Sequence, residues 1–87
     1  MREMIMMIQR SCPHCRRALA LMEELKAEHP VYTQVPVRIV DEFEEKAFAD
    51  SLDYWYVPTY FVGGEKLHEG VPSKAKVQAV YEKALSD

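Results

Sequence analysis

Cysteine is scarce in this chain: only two of its 87 residues are cysteines, Cys12 and Cys15. Small secreted domains that depend on disulfides carry several, so we do not expect a disulfide framework. A closed structural zinc site needs four ligands, whereas the sequence offers two cysteines and three scattered histidines. No second Cys-x-x-Cys pair is present. We therefore expect neither a bound metal nor a resident cofactor.

Long apolar runs are also missing. No run approaches the roughly 20 residues that are needed to span a bilayer. The run over residues 4–8 is too short for the core of a secretory signal, and no small-residue cleavage site follows it. We therefore expect a cytoplasmic protein with no membrane partner. In a compartment that keeps thiols reduced, a cysteine pair serves catalysis more readily than structure.

Positive charge is limited and unevenly placed. The net charge is −3, from 11 basic and 14 acidic residues. Between residues 4 and 22, however, the sequence has Arg10, Arg16 and Arg17 and no acid. This basic segment surrounds the two cysteines, so we interpret it as functional rather than only as a solvated helix end. An acidic chain with so small a basic patch gives no reason to expect nucleic acid as a partner.

The pattern of apolar and turn residues predicts one domain over residues 1–87, of the α/β class. Apolar residues make up 48% of the chain and charged residues 29%, which is typical of a globular protein. The predicted order is β-α-β-α-β-β-α, which gives a four-stranded mixed sheet with three helices covering both faces. The strands are predicted over residues 4–8, 35–40, 57–62 and 66–69, and the helices over residues 13–28, 42–52 and from Ser73 onward.

Two local signals support these boundaries. Asp41 followed three residues later by Glu44 is typical of a capping box at the start of a helix. Gly63-Gly64 between two β-rich runs predicts a hairpin turn.

The motif Cys12-Pro13-His14-Cys15 directly follows the first predicted strand and its short connection. Proline prefers the first position of a helix, so Pro13 is expected to begin one. The two sulfurs then lie three residues apart on one helical face, close enough to form a disulfide and to release it. A dithiol of this kind is a two-electron redox centre.

The position of Cys12 predicts which sulfur reacts first. At the N-cap of the helix, backbone N–H groups without partners and the helix dipole both favour a thiolate. The three arginines and a protonated His14 act in the same direction. We predict a lowered pKa for Cys12, which attacks a substrate disulfide, and a more protected Cys15, which resolves the mixed disulfide. An alternative for His14 is an exposed side chain in a surface turn.

Three landmarks carry a resemblance to known proteins. They are the strand followed by the Cys12-Pro13-His14-Cys15 motif, the Val57-Pro58 step before a strand, and the hairpin, glycine and last helix from residue 61 onward. Together they resemble the thioredoxin-like superfamily and, at this length, most of all the glutaredoxins. The resemblance covers nearly the whole chain. It implies a thioredoxin-like fold and an enzyme, a dithiol–disulfide oxidoreductase active in electron transport and cell redox homeostasis.

The resemblance also implies substrate-binding residues. In the family, the proline that matches Pro58 has a cis peptide bond and faces the dithiol. The backbone of Val57 would pair with an extended substrate, such as a peptide or the glutathionyl moiety. Arg10 matches the basic residue before the motif, and Gly70 matches the glycine in the later loop. The expected partners are a disulfide-containing protein or a small thiol, with glutathione or a thioredoxin-reductase-type donor as reductant; the chain is expected to be a monomer.

The chain departs from both families at several positions. Glutaredoxins usually have tyrosine where this chain has His14, and an aspartate after the glycine pair that is here reduced to Glu69-Gly70. Thioredoxins have a tryptophan in place of Ser11 and a buried aspartate in place of Met6. The predicted function is therefore thiol–disulfide oxidoreductase in general.

Two alternatives stay open. The first is a metal or iron–sulfur carrier that uses Cys12 as a ligand. Copper chaperones also have Cys-x-x-Cys after a strand, but they usually carry a methionine where this chain has Arg10. The second concerns the cluster Tyr54-Trp55-Tyr56, which is either an apolar platform for a protein substrate or a hydrophobic plug under the second helix.

Overall fold

The computed structural model describes residues 1–86, which form four strands, three α-helices and one 3₁₀ helix. In chain order these are β1 (Met4–Ile8), α1 (Pro13–Glu28), the 3₁₀ helix (Pro30–Gln34), β2 (Val37–Asp41), α2 (Lys46–Asp50), β3 (Thr59–Val62), β4 (Glu65–Glu69) and α3 (Lys74–Leu85). The predicted order of strands and α-helices is confirmed, and so is the α/β class.

The four strands form one mixed sheet in the order β2-β1-β3-β4. Strand β1 runs parallel to β2 and antiparallel to β3, and β4 pairs antiparallel with β3. The hairpin between β3 and β4 turns at Gly63 and Gly64, which both have positive φ, as the tightest hairpin turns require. The mixed sheet predicted from the sequence is therefore confirmed.

The sheet is covered on both faces, and β1 supplies apolar side chains to each. Met4, Met6 and Ile8 pack with α1 and α3 in the larger core cluster. Met7 lies on the other face with Val40, and α2 covers that face. A strand buried on both faces is a continuous apolar run rather than an alternating one, which explains the sequence of β1. Each large apolar side chain buried in this way contributes about 1.5–3 kcal/mol to folding.

The second strand begins later than predicted, at Val37 instead of residue 35. A 3₁₀ helix over Pro30–Gln34, which the sequence analysis did not predict, occupies the preceding chain. Its Tyr32 is buried and stacks on Tyr81 of α3, with 4.7 Å between ring centres. This contact between distant parts of the chain holds the segment against α3, so the strand starts only after Pro36.

The second helix is shorter than predicted, five residues over Lys46–Asp50 rather than residues 42–52. Asp41 does cap the segment, because its Oδ1 accepts hydrogen bonds from the backbone N–H groups of Phe43 and Glu44 at 2.8 and 3.2 Å. The Glu44 carboxylate, however, binds the Arg10 guanidinium, with 2.9 Å between Nε and Oε2. The capping box is therefore incomplete, and residues 42–45 form turns.

Strand β3 also starts later than predicted, at Thr59, and the loop before it is held by a carboxylate on β4. Glu69 Oε2 accepts hydrogen bonds from the backbone N–H groups of Trp55 and Tyr56, the second at 2.8 Å. Its Oε1 accepts one from Lys66 Nζ, also at 2.8 Å. The Lys66 hydrogen bond, followed by those from the two backbone N–H groups, lowers the pKa of Glu69 from 4.5 to about 2.

This lowered pKa predicts a stability change in acid. A carboxylate whose pKa is lower in the folded state stabilises the fold above its unfolded pKa, and this stabilisation is lost as the pH falls through the folded pKa. Between pH 4.5 and about 2, we expect the unfolding free energy of a Glu69→Gln variant to fall less than that of the natural sequence. Urea unfolding at several pH values measures this difference in the unfolding free energy. Glu65→Gln, at the exposed start of the same strand, is the control, and equal acid sensitivity of both variants would contradict the assignment.

Candidate functional site

The register of the sheet brings four separate segments to one of its edges. Ile8, the last residue of β1, pairs with Asp41, the last residue of β2, so the two following loops leave the sheet side by side. Thr59 begins β3 opposite Met7 and also pairs with Glu69 at the end of β4. The loops at residues 9–12, 42–45, 54–58 and 70 therefore meet at one place, which we call the dithiol edge.

Cys12 is the N-cap residue of α1, as predicted. Its backbone is extended, with φ −79° and ψ 121°, and Pro13 takes the first helical position. Its N–H donates to the Gln9 carbonyl at 3.0 Å, and its carbonyl accepts the first helical hydrogen bond from Arg16 N–H at 3.1 Å. Cys12 is partly exposed and Cys15 is buried; both are free thiols. The predicted difference in access is therefore present.

The surroundings of Cys12 favour its ionised form. Burial is the largest single influence and raises its pKa, but it is outweighed by several opposing ones. The backbone N–H and thiol of Cys15, the backbone N–H of His14 and the Arg16 guanidinium together bring the pKa of Cys12 below its ordinary value. The Cys12 side chain makes no capping hydrogen bond, so these groups act on it mainly as nearby dipoles and charge. The predicted direction of the shift agrees with this environment.

Cys15 has the opposite environment. The pKa of its thiol is raised to about 12, and burial is the largest cause. The Cys12 side chain and the negative charge of Glu42 contribute to this rise, while the backbone N–H of Gln9 acts against it. One turn of helix thus separates an ionisable sulfur that is partly exposed from a sulfur that stays protonated.

The three arginines of the basic segment do not act together. Arg10 is held by carboxylates, at 2.9 Å from Glu44 and 3.8 Å from Asp41. Arg16 is the arginine whose charge lowers the pKa of Cys12. Arg17 and the His14 side chain are exposed, and His14 acts on Cys12 through its backbone N–H. The structure thus distinguishes residues that the sequence analysis had grouped.

The predicted substrate-binding residues Val57, Pro58 and Gly70 lie together. The Val57-Pro58 peptide bond is cis, as the resemblance implied. Gly70 donates its N–H to the Pro58 carbonyl at 2.9 Å. At Gly70 φ is +95°, a conformation that L side chains rarely adopt. Their place at the dithiol edge agrees with the expectation, and their contact with a substrate stays a prediction.

Two residues of this edge were missed by the sequence analysis, Gln9 and Glu42. The Gln9 carbonyl binds Cys12 N–H, and its side-chain amide donates to Glu42. Glu42 also accepts a hydrogen bond of 2.6 Å from the Tyr54 hydroxyl. Gln9 directly follows β1, and Glu42 directly follows β2. Because neighbouring parallel strands end at the same edge of a sheet, this position after each strand was the signal in the sequence that could have identified the two residues.

The aromatic cluster divides between the two proposed roles. Tyr54 is partly buried and packs edge-on against Phe61, with 6.3 Å between ring centres, so it belongs to the core beside α2. Trp55 and Tyr56 are 84% and 71% exposed. Tyr54 thus matches the plug, while its two neighbours present their rings to solvent.

Residues 1–86 contain no group of three or more histidine, cysteine or acidic side chains arranged to hold a metal ion. In the same part of the chain, no helix combines the length and apolar character needed to cross a membrane.

Comparisons with known proteins agree with this fold. A family model described as thioredoxin domain matches residues 3–82. No curated protein matches the sequence. Among solved structures, one titled "Structure of a malarial protein" is similar with a TM-score of 0.73 and 16% identity, over 98% of both chains. At this identity the likeness concerns the fold. The family model spans nearly the whole sequence, and we conclude that the chain belongs to the thioredoxin-domain family.

Proposed function

We propose that the protein is a thiol–disulfide oxidoreductase that uses Cys12 as nucleophile and Cys15 as resolving thiol. The observation that carries this proposal is the asymmetry of the pair. Cys12 is partly exposed with a lowered pKa, while Cys15 is buried with a pKa raised to about 12. Disulfide exchange needs one accessible thiolate to attack and a second thiol held in reserve. Membership of the thioredoxin-domain family supports redox chemistry in general.

In the first step, the Cys12 thiolate attacks one sulfur of the substrate disulfide. A bond forms between Cys12 and that sulfur, and the second substrate sulfur leaves as a thiolate that takes a proton from water. The product is a mixed disulfide between Cys12 and the substrate, in which the Cys12 sulfur has been oxidised from thiolate to disulfide and the leaving substrate sulfur has been reduced to a thiol. The accessible sulfur has to be the attacking one, because Cys15 is buried.

In the second step, Cys15 attacks the Cys12 sulfur of the mixed disulfide. The bond between Cys12 and the substrate breaks, and the substrate leaves as a thiolate that takes up the proton lost by Cys15. The substrate has gained two electrons and two protons, and the protein now holds a Cys12–Cys15 disulfide. Loss of the Cys12 thiolate removes one of the charges that raise the pKa of Cys15, so the first step favours the second.

The lowered pKa of Cys12 also bears on the direction of electron flow. Stabilising the thiolate stabilises the reduced form, which makes the disulfide more oxidising. A donor must restore the dithiol after each turnover, and glutathione or a thioredoxin-reductase-type protein has the required chemistry. A reducing compartment such as the cytoplasm, which the sequence predicts, would keep the pair reduced. We assign substrate binding to Arg10, Val57, Pro58 and Gly70.

Replacing each cysteine by serine tests the proposed roles of the two sulfurs. We expect Cys12→Ser to abolish the acceleration that the protein gives to the reduction of insulin disulfides by dithiothreitol or glutathione. We expect Cys15→Ser to accumulate a mixed disulfide at Cys12, because the resolving sulfur is missing. Tandem mass spectrometry of the protein treated with iodoacetamide should find Cys12 alkylated at lower pH and faster than Cys15. Equal reactivity of the two sulfurs, or activity without Cys12, would refute the assignment.

Two neighbouring arginines provide a matched test of the activation of Cys12. Arg16→Gln should raise the pKa of Cys12, because its charge favours the thiolate. Arg17→Gln removes the same charge from an exposed position one residue further along and should leave the pKa of Cys12 nearly unchanged. The pH dependence of alkylation at Cys12 measures both. An equal shift in the two variants would mean that general surface charge, and not the placement of Arg16, sets the pKa.

The carrier alternative makes a different prediction for the purified protein. An iron–sulfur cluster held by Cys12 absorbs visible light and is brown, whereas a dithiol is colourless. For an oxidoreductase we expect no visible absorbance bound to the protein, either as purified or after anaerobic incubation with iron, sulfide and glutathione followed by desalting. A band that appears in this mixture and is absent from Cys12→Ser would favour the carrier.

A further inference from the structure

A groove of about 350 Å³ lies next to the dithiol edge, between α2 and the loop at residues 54–58. Ala49, Leu52 and Tyr54 contribute to its lining, and so do the strongly exposed Phe43 and Trp55. Its volume is at the low end of the range for ligand pockets, about 300–1,000 Å³. The groove is therefore of a size for one or two side chains of a polypeptide rather than for a large cofactor.

The two aromatic rings at the groove have no evident role in folding. Phe43 is 73% exposed and Trp55 is 84% exposed, and neither is part of the two core clusters of the described chain. Their backbones are fixed nonetheless, since Phe43 N–H binds Asp41 and Trp55 N–H binds Glu69. Trp55 and Phe43 line the same groove, and tryptophan is enriched among the residues that dominate the binding energy of protein interfaces.

The charge of the groove favours a cationic occupant. The lining holds two carboxylates, Glu42 and Asp50, and one base, Lys46. That base is paired with Asp50 at 2.8 Å. The Glu42 carboxylate accepts hydrogen bonds from Gln9 and Tyr54. Among the ion pairs of residues 1–86, Glu42 has no cationic partner within 4.0 Å.

We propose that this groove binds a segment of the protein whose disulfide is exchanged, with an apolar or aromatic side chain between Phe43 and Trp55 and a lysine or arginine directed toward Glu42. The inference rests on the proposed function, because it names the substrate class of the same site. The loop that carries Trp55 continues directly into Val57 and Pro58. A segment bound in the groove therefore extends toward the dithiol edge, where Cys12 meets the disulfide.

Model peptides test the substrate class. Each carries one cysteine in a mixed disulfide with the chromophore thionitrobenzoate, and a Phe-Lys pair at several distances from the cysteine on either side. Matched peptides replace the pair by Phe-Glu or Ser-Lys. We expect the best Phe-Lys peptide to exceed both in kcat/KM by about tenfold, mainly through KM. Equal values for the three peptides at every spacing would overturn the proposal.

Variants of the two rings test the place of binding. Phe43→Ser and Trp55→Ser should each lower kcat/KM for the best peptide by about fivefold or more, and leave the reaction with hydroxyethyl disulfide unchanged. Val31→Ser is the control, since Val31 is exposed but lies on the 3₁₀ helix, outside the groove. If Phe43→Ser and Trp55→Ser have the same kcat/KM for the peptide as the natural sequence, the groove is not the binding site.

A binding measurement separates this inference from the redox proposal. Trp55 is the only tryptophan of the chain, so its fluorescence reports on the groove alone. In a Cys12→Ser, Cys15→Ser variant, a Phe-Lys peptide without its disulfide should change Trp55 emission saturably, and Phe43→Ser should weaken the effect. If the peptide binds but the natural sequence does not turn over its disulfide form, the proposed function is wrong and binding in the groove is supported. Turnover without any effect of peptide on Trp55 would defeat the groove alone.

Discussion

The proposed chemistry of this molecule depends on a single placement, that of the Cys12 sulfur at the N-terminus of α1. Pro13 fixes that placement because its ring suits the first helical position and its missing N–H is not needed there. The N–H groups of the first turn have no partners within the helix, and they favour negative charge in front of them. The same turn places Cys15 in the core. The start of α1 thus determines the surroundings of both sulfurs, one partly exposed and one buried.

The sheet holds the start of α1 in a fixed position. Strand β1 ends in register with β2, so the connection from β1 to α1 leaves next to the loop after β2. Gln9 joins the two, because its backbone binds Cys12 and its side chain binds Glu42. The start of α1 is therefore fixed to the sheet by hydrogen bonds that do not involve sulfur, and the proposed change of oxidation state would leave them in place.

Local patterns in the sequence predicted what local physics decides. The apolar run of β1, the proline before α1 and the glycine pair of the hairpin gave the order of elements and the position of the dithiol. The errors arose where a distant partner intervened. Glu44 binds Arg10 instead of completing its cap, which shortens α2. Stacking of Tyr32 on Tyr81 holds a 3₁₀ helix where β2 was expected to begin. Spacing along the chain carries no signal for such pairs.

Glu42 is common to the groove and to the surroundings of Cys15. It lines the groove beside Trp55, and it stands close enough to Cys15 that, after burial itself, its charge is among the causes that raise the pKa of that thiol. A cation that binds next to Glu42 offsets this charge. In the proposed complex, a basic segment in the groove would therefore make Cys15 easier to ionise at the stage when the mixed disulfide has to be resolved. Under this proposal, the charge that recognises the substrate would also assist its release.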